Sequence, residues 1–358
     1  MKKLLIALFI ALTVLSVSVF AEESGTCGDN LTWTLDDAGT LTINGTGDME
    51  DHEVYSQDIP WFDFRSMIKK VVIEDSVTSI GDSAFYDCFS LTSIEIPDSV
   101  TSIGNYAFHG CSSLTSIEIP DSVTSIGCGV FAYCYSLTSI EIPDSVTSIG
   151  DWAFYGCDSL TSIEIPDSVT SIGVSAFRDC ENLTSIEIPD SVTSIGDSAF
   201  DDCYSLTSIE IPDSVTSIGN YAFCWCKNLT SIEIPDSVTS IGDSAFNHCD
   251  SLETVYYYGT EEEWNKIEIC AGNASLLNAE IIFNYTPKTT PKTTPETVPE
   301  TTPETTPETV PAESSSDSDN TLTIVIVICV TVVVSLLIIG AVVITVVLVK
   351  KKKKNKQQ

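Results

Sequence analysis

Between residues 68 and 251 the apolar residues fall on a fixed template 23 positions long. In the unit Leu91–Ser113 they are Leu91, Ile94, Ile96, Val100, Ile103, Ala107, Phe108 and Cys111. Ile94 and Ile96 alternate with Ser93 and Glu95, which predicts a short strand with one buried face. Pro97-Asp98 predicts a corner, because proline fixes φ. Val100 to Ile103 predicts a second extended run, and Gly104 the next bend. Asp82, Asn105, Asp151, Asp197, Asn220 and Asp243 then stand where an N-cap would open a single helical turn carrying Ala-Phe. Cys128 and Val174 replace that residue in two units.

The template recurs eight times. Asp-Ser-Val-Thr-Ser-Ile-Gly starts at Asp75, Asp98, Asp121, Asp144, Asp167, Asp190, Asp213 and Asp236. A constant period in the 20–29 range predicts a leucine-rich-repeat-type solenoid, in which one coil cannot bury its apolar face alone. The expected fold is β-rich: right-handed coils of 23 residues with short helical turns, capped at both ends. Residues 22–67 read as the N-terminal cap. Leu31–Leu35 and Thr40–Ile43, followed by Asn44-Gly45, predict a hairpin with a primed turn. Residues 68–251 are the eight repeats. Residues 252–285 break the period at Tyr256-Tyr257-Tyr258 and read as the C-terminal cap.

The ends predict an address. Residues 1–21 have the charged start, apolar middle and small final residue of a secretory signal peptide. Residues 286–320 are a Thr/Pro-rich stalk, extended and of O-glycosylated composition. Residues 321–349 predict one transmembrane helix, since Leu322 to Val349 holds no charged residue and exceeds the roughly 20 needed to span a bilayer. A lysine-rich tail, 350–358, predicts single-pass type I topology in the plasma membrane with an extracellular ectodomain. The membrane is thus one expected partner.

Charge sharpens the picture of the surface. Two of the 16 basic residues lie in the signal peptide and six in the tail, so the rest of the chain sets eight against 51 acidic residues. Such a surface repels nucleic acid. The outward ladder Glu95, Glu118, Glu141, Glu164, Glu187, Glu210 and Glu233 repeats one carboxylate per coil. Like charges about 4.8 Å apart in water repel by roughly 0.9 kcal/mol. Burying six large apolar side chains per coil yields about 10 kcal/mol gross, so the ladder needs no bound cation. Cysteine keeps the same step, from Cys88 to Cys249. In-register side chains point the same way, which favours buried reduced thiols over disulfides. Cys27, Cys128, Cys224 and Cys270 lie off the ladder and are the expected sites of oxidation.

Candidate chemistry is that of binding. Three histidines, His52, His109 and His248, form no Ser/His/Asp or H-E-x-x-H arrangement, and there is no phosphate loop. No catalysis, cofactor or metal is expected. Variation between units is concentrated after the Gly, between Phe and Cys, and after the Cys. There stand Tyr106, His109, Tyr133, Tyr135, Trp152, Tyr155, Tyr204, Tyr221 and Trp225, residue types enriched at binding hot spots. They are the expected recognition residues, against a reading of neutral drift. Glycosylation sequons stand at Asn30, Asn44, Asn182, Asn228, Asn273 and Asn284.

The unit Leu-Thr-Ser-Ile-Glu-Ile-Pro-Asp-Ser-Val-Thr-Ser-Ile-Gly-x-x-Ala-Phe-x-x-Cys resembles the BspA-like, or Treponema pallidum-type, leucine-rich repeat. The flanks Gly39-Thr-Leu-Thr-Ile43, Pro60-Trp61 and Gly259-Thr-Glu-Glu-Glu-Trp264 resemble that family's end segments. The apolar span with its lysine tail resembles the membrane-anchored protist branch. The resemblance implies a cell-surface adhesin-like protein that presents a multivalent surface to host cells, matrix or other microbes, its partner an extracellular protein or cell-surface ligand. Alternatives are a non-adhesive coat or decoy antigen, and a receptor subunit.

Overall fold

The computed structural model describes residues 22–286. Each repeat is one coil whose Ser-Ile-Glu segment (Lys-Val-Val in the first) pairs in parallel and in register with that of one adjacent coil. Glu118 lies opposite Glu141, Glu164 opposite Glu187 and Glu210 opposite Glu233. On a second side, Ile126, Ile149, Ile172, Ile195 and Ile218 form a run of parallel bridges. Leu91, Val100, Ala107, Phe108 and Cys111, with their equivalents in other coils, are fully buried between these sides. At the corner after proline, serine hydroxyls tie coil to coil: Ser145 Oγ donates to Val123 O and Ser168 Oγ to Val146 O, both at 2.6 Å.

The third side is not a helical turn. It is a run of hydrogen-bonded turns in which two positions per coil have left-handed backbone. The second residue after the Gly does so at Ser83, Tyr106, Gly129, Trp152, Ser175, Ser198, Tyr221 and Ser244. The residue before the Cys does so at Asp87, Gly110, Tyr133, Gly156, Asp179, Asp202, Trp225 and His248. The reason is where the amides go. Trp152 N donates to Val174 O, Phe154 N to Ala176 O and Gly156 N to Arg178 O, each 2.8 Å and each in the next coil. The intervening Tyr155 and Cys157 amides stay within the coil, bonding Trp152 O and Phe154 O. An α-helix would spend all of these amides internally, so the alternation that knits coils together excludes it.

The expected N-caps are therefore inter-coil rungs. Asn105 N donates to Asp82 Oδ1 at 2.6 Å, Val174 N to Asp151 Oδ1 at 2.7 Å and Asn220 N to Asp197 Oδ1 at 2.7 Å. Cys128 and Val174 cannot supply the next rung, to Asp151 N or Asp197 N. Replacing Val174 by asparagine should add a hydrogen bond to Asp197 N and raise stability by about 0.5–1.5 kcal/mol. Equilibrium urea unfolding checks this; an unchanged or lower midpoint with unchanged slope would contradict the rung.

The caps continue the coil at both ends. Strands β1 (Glu23–Gly28), β2 (Leu31–Leu35) and β3 (Thr40–Gly45) form an antiparallel sheet, and β3 pairs in parallel with Lys70–Ile73 of the first coil. The β2–β3 turn is Asp36–Gly39, not Asn44-Gly45. Asp36 Oδ1 accepts the amides of Ala38 and Thr40 at 2.9 and 2.8 Å, and Gly39 has φ +90°. At the other end Thr254–Tyr257 and Glu280–Ile282 extend the parallel sheet. Helix α1 (Glu261–Trp264) starts in a capping box of Thr260 and Glu263, and helix α2 (Ala274–Asn278) buries Leu276.

The expectation of a transmembrane helix is corrected. Among the described residues no helix is long and apolar enough to cross a membrane, and 321–349 lies outside them, as do 1–21, 350–358 and the stalk beyond residue 286. The membrane-anchored protist-type assignment, the membrane as partner and the single-pass type I plasma-membrane location are not carried forward.

Candidate functional site

The left-handed positions follow one another along one edge of the solenoid, where the rings they carry are exposed or half-buried. Tyr106, Trp152 and Tyr221 stand on the first such position, Tyr133 and Trp225 on the second. His109 and Tyr155 come from the residue between Phe and the second position, and Tyr135 and Tyr204 follow the Cys.

The structure brings part of this set together. Tyr86 stacks on His109 at 4.5 Å, His109 meets Tyr133 edge-on at 5.1 Å, and Tyr133 meets Tyr155 at 4.9 Å. Tyr106 lies 6.0 Å from His109 and Tyr135 lies 5.8 Å from Tyr133. Tyr55, a cap residue that periodicity could not select, extends the row by packing on Tyr86 at 5.2 Å. Burial holds the His109 pKa below its ordinary value, against an opposing pull from Asp87. Its Nδ1 is buried and without a hydrogen-bond partner. Trp225 is separate: His248 stacks on it at 3.9 Å, and Lys227 Nζ lies 4.7 Å from both its ring and that of Tyr204. Trp152 and Tyr221 make no ring contact among the described residues and stand 41% and 46% exposed.

Between the two aromatic groups lies a charged cluster, in which Arg178 stands at a variable edge position and the carboxylates around it carry no periodic mark. Arg178 faces Asp179, Asp201 and Asp202 at 4.0, 3.5 and 4.0 Å. Asp201 is 6% exposed, and burial raises its pKa to about 6, with Arg178 opposing and Asp202 adding to the rise. Arg178, Asp201, Asp202, Tyr221, Trp225 and Asn247 line a shallow depression of about 330 Å³. The only sequence signal is that coils five and six place charge at both positions between Phe and Cys, which no other coil does.

The cysteine ladder belongs to the core. All twelve described cysteines are free thiols. Cys157 Sγ donates to Phe131 O and Cys180 Sγ to Phe154 O, at 3.3 and 3.2 Å. Each of those carbonyls already accepts the amide of its own coil's cysteine, so the thiol fills its second lone pair. Burial pushes the Cys88 and Cys134 thiols up to about 12, which leaves no reactive thiolate at neutral pH. Cys27 and Cys224 are buried too, contrary to their reading as sites of oxidation; Cys128 and Cys270 are half-buried.

Five sequon asparagines, Asn30, Asn44, Asn182, Asn228 and Asn284, are exposed. Asn273 is not. Its Oδ1 accepts Phe246 N at 3.0 Å, and its Nδ2 donates to Gly242 O and Cys270 O at 2.9 and 3.0 Å. It ends the amide ladder of the last coil, so in the folded protein its amide is occupied. Among the described residues no group of three or more His, Cys, Asp or Glu side chains is placed to hold a metal ion.

A family model, the BspA type leucine rich repeat region, matches residues 57–180 and 147–267. A leucine-rich repeat protein from Eubacterium ventriosum has a similar structure at 29% identity, with 71% of this chain and 77% of that chain covered and a TM-score of 0.54. Another from Bacteroides ovatus is 31% identical, with 72% and 70% covered and a TM-score of 0.51. The leucine-rich repeat protein of T. pallidum is 27% identical, with 63% and 90% covered and a TM-score of 0.43. The search of curated proteins gave no match.

Proposed function

The chain belongs to the BspA-type leucine-rich repeat family, a non-enzymatic scaffold, and from that premise we propose that it is an adhesin-like binding protein that recognises its target through the variable edge. The observation that carries this reading is the split between invariant and varied positions. Strand and corner are identical from the second coil to the eighth, so they cannot give one coil a different preference from the next. The edge alone carries different side chains, and it projects them from backbone of uncommon conformation. Left-handed φ at tyrosine or tryptophan is uncommon, so large rings at Tyr106, Tyr133, Trp152, Tyr221 and Trp225 add area to this edge at a backbone cost. The partner is an extracellular protein or cell-surface ligand, on host cells, matrix or other microbes. Exposed Asn182 and Asn228, last in their coils, are the glycan positions among the repeats.

Binding of the full chain to immobilised matrix proteins and to cells tests the proposal. Alanine at Trp152, Tyr155 and Trp225 together should weaken saturable binding at least tenfold, since a hot-spot truncation costs about 2 kcal/mol or more. Unchanged binding would remove the edge from the interface. No saturable binding by the unmodified chain would favour a coat or decoy antigen.

A further inference from the structure

The charged depression on the edge is built for a ligand of definite chemistry. One guanidinium, Arg178, stands among three carboxylates, and none of its ion pairs is closer than 3.5 Å. Asp158 and Glu181 add negative charge beside Asp179. Lys227 is engaged over Trp225 and Tyr204. Two polar atoms of the cluster are buried without a hydrogen-bond partner of good geometry: Asp201 Oδ1, an acceptor, whose carboxylate is hydrogen-bonded by the Cys224 thiol, and Arg178 Nε, a donor, which lies 3.5 Å from Asp201 Oδ2. Such orphans in the wall of a depression are costly unless something fills them.

We propose that this depression, walled by Tyr221 and Trp225 and floored by Asp201, docks a basic residue of a partner polypeptide. The ammonium or guanidinium group of lysine or arginine donates to the Asp201 carboxylate and meets the excess negative charge of Asp202 and Asp179. A peptide carbonyl of the same segment accepts from Arg178 Nε. A divalent metal ion fits poorly, because no carboxylate set here converges on one point. A polyamine satisfies only the acceptor and leaves the arginine orphan unmet. An anionic ligand would meet three carboxylates. Tyr221 is nearly half exposed and left free by its neighbours, which gives the aliphatic stem of the basic residue an apolar wall.

The inference rests on the edge reading and names the partner chemistry at one point of it. Its test is a saturation-transfer NMR titration of the full chain with N-acetyl-glycyl-arginine amide, with N-acetyl-glycyl-norleucine amide and spermidine as comparison ligands. The arginine peptide should bind, the norleucine peptide should bind at least tenfold more weakly, and spermidine should bind more weakly than the arginine peptide. Asp201→Asn should weaken the arginine peptide about tenfold or more, as loss of a charged hydrogen-bond partner does. Asp202→Asn, which removes a charge from a half-buried side chain, should weaken it by a smaller factor. Wild-type affinity in both variants, no binding of the arginine peptide, or spermidine equal to it would overturn the proposal. Failure here leaves the edge reading to the Trp152, Tyr155 and Trp225 experiment, whose readout is binding to cells and matrix.

Discussion

Truncation of Phe154 to alanine will lower the free energy of unfolding by about 3–5 kcal/mol, among the largest losses available to one side chain in this protein. Phe154 is fully buried at mid-solenoid, stacked between Phe131 at 5.5 Å and Phe177 at 5.2 Å. The stack runs unbroken from Phe85 to Phe246 and is closed at its first end by Trp61, 5.5 Å from Phe85. A cavity at Phe154 cannot close by sliding its neighbours inward. Phe131 N is tied to Ala153 O at 2.9 Å and Phe154 N to Ala176 O at 2.8 Å, so the backbone holds the ring spacing. In a solenoid each coil touches only its neighbours, so the loss falls on the two interfaces of coil four. Urea unfolding of the full chain reads it. Phe154→Leu should recover more than half of the loss, because most of the volume returns. A loss under about 1 kcal/mol for the alanine variant would show that the stack is not a principal source of stability.

The inward residues, the strands and the proline corner were legible because each leaves a periodic mark: alternation at Ile94 and Ile96, constancy at Leu91, Phe108 and Cys111. The edge was not, for a physical reason. Asp or Asn followed by a small or varied residue and then Ala-Phe carries the local signal of an N-capped helical turn. What overrides it is the demand of the next coil for amides, a non-local requirement with no local trace. The side chains that close the two ends left no periodic mark for a related reason. Trp61 donates Nε1 to Ala84 O at 2.8 Å and stacks on Phe85, doing with a side chain what the backbone amide of a preceding coil would do. Asn273 accepts the last such amide, from Phe246. Each stands in for a missing coil, and neither sits on the 23-residue template. All nine expected recognition residues stand along the edge, but only five join in the aromatic row around His109, and Tyr204 is paired with Trp225 through Lys227. Trp152 and Tyr221 stand apart. Asp201 escaped notice because a carboxylate in an acidic chain reads as surface, and only the fold reveals that it is buried.

Gly173→Ala tests the same coil-to-coil geometry from the other direction, by adding an atom rather than removing one. The sequence suggests that this glycine serves a bend, yet its φ is not left-handed, and alanine could adopt its conformation. The constraint is the preceding coil. A Cβ at residue 173 would lie 2.6 Å from both Gly150 C and Asp151 N, and 2.7 Å from Asp151 Oδ1. Those are backbone atoms and a side chain already committed to Val174 N at 2.7 Å, so none can swing aside. Relief requires the coils to part, which stretches the Gly173 N to Ile149 O bond at 3.0 Å and loosens the stacked rings. Overpacking of this kind costs about 1–3 kcal/mol, and the loss of the asparagine/aspartate rung adds about 1 kcal/mol. The variant should therefore unfold at a clearly lower urea concentration than the parent. Gly47→Ala makes the comparison decisive: Gly47 has φ +100° and no atom within 4 Å of a built Cβ, so its penalty comes from backbone conformation alone and should not separate the coils. Amide hydrogen exchange distinguishes the two. Gly173→Ala should speed exchange at Val174 and Gly173 and at the amides that cross between coils four and five, whereas Gly47→Ala should leave them protected. Equal protection at those amides in both variants would mean that close approach of coils is not what glycine secures at this position.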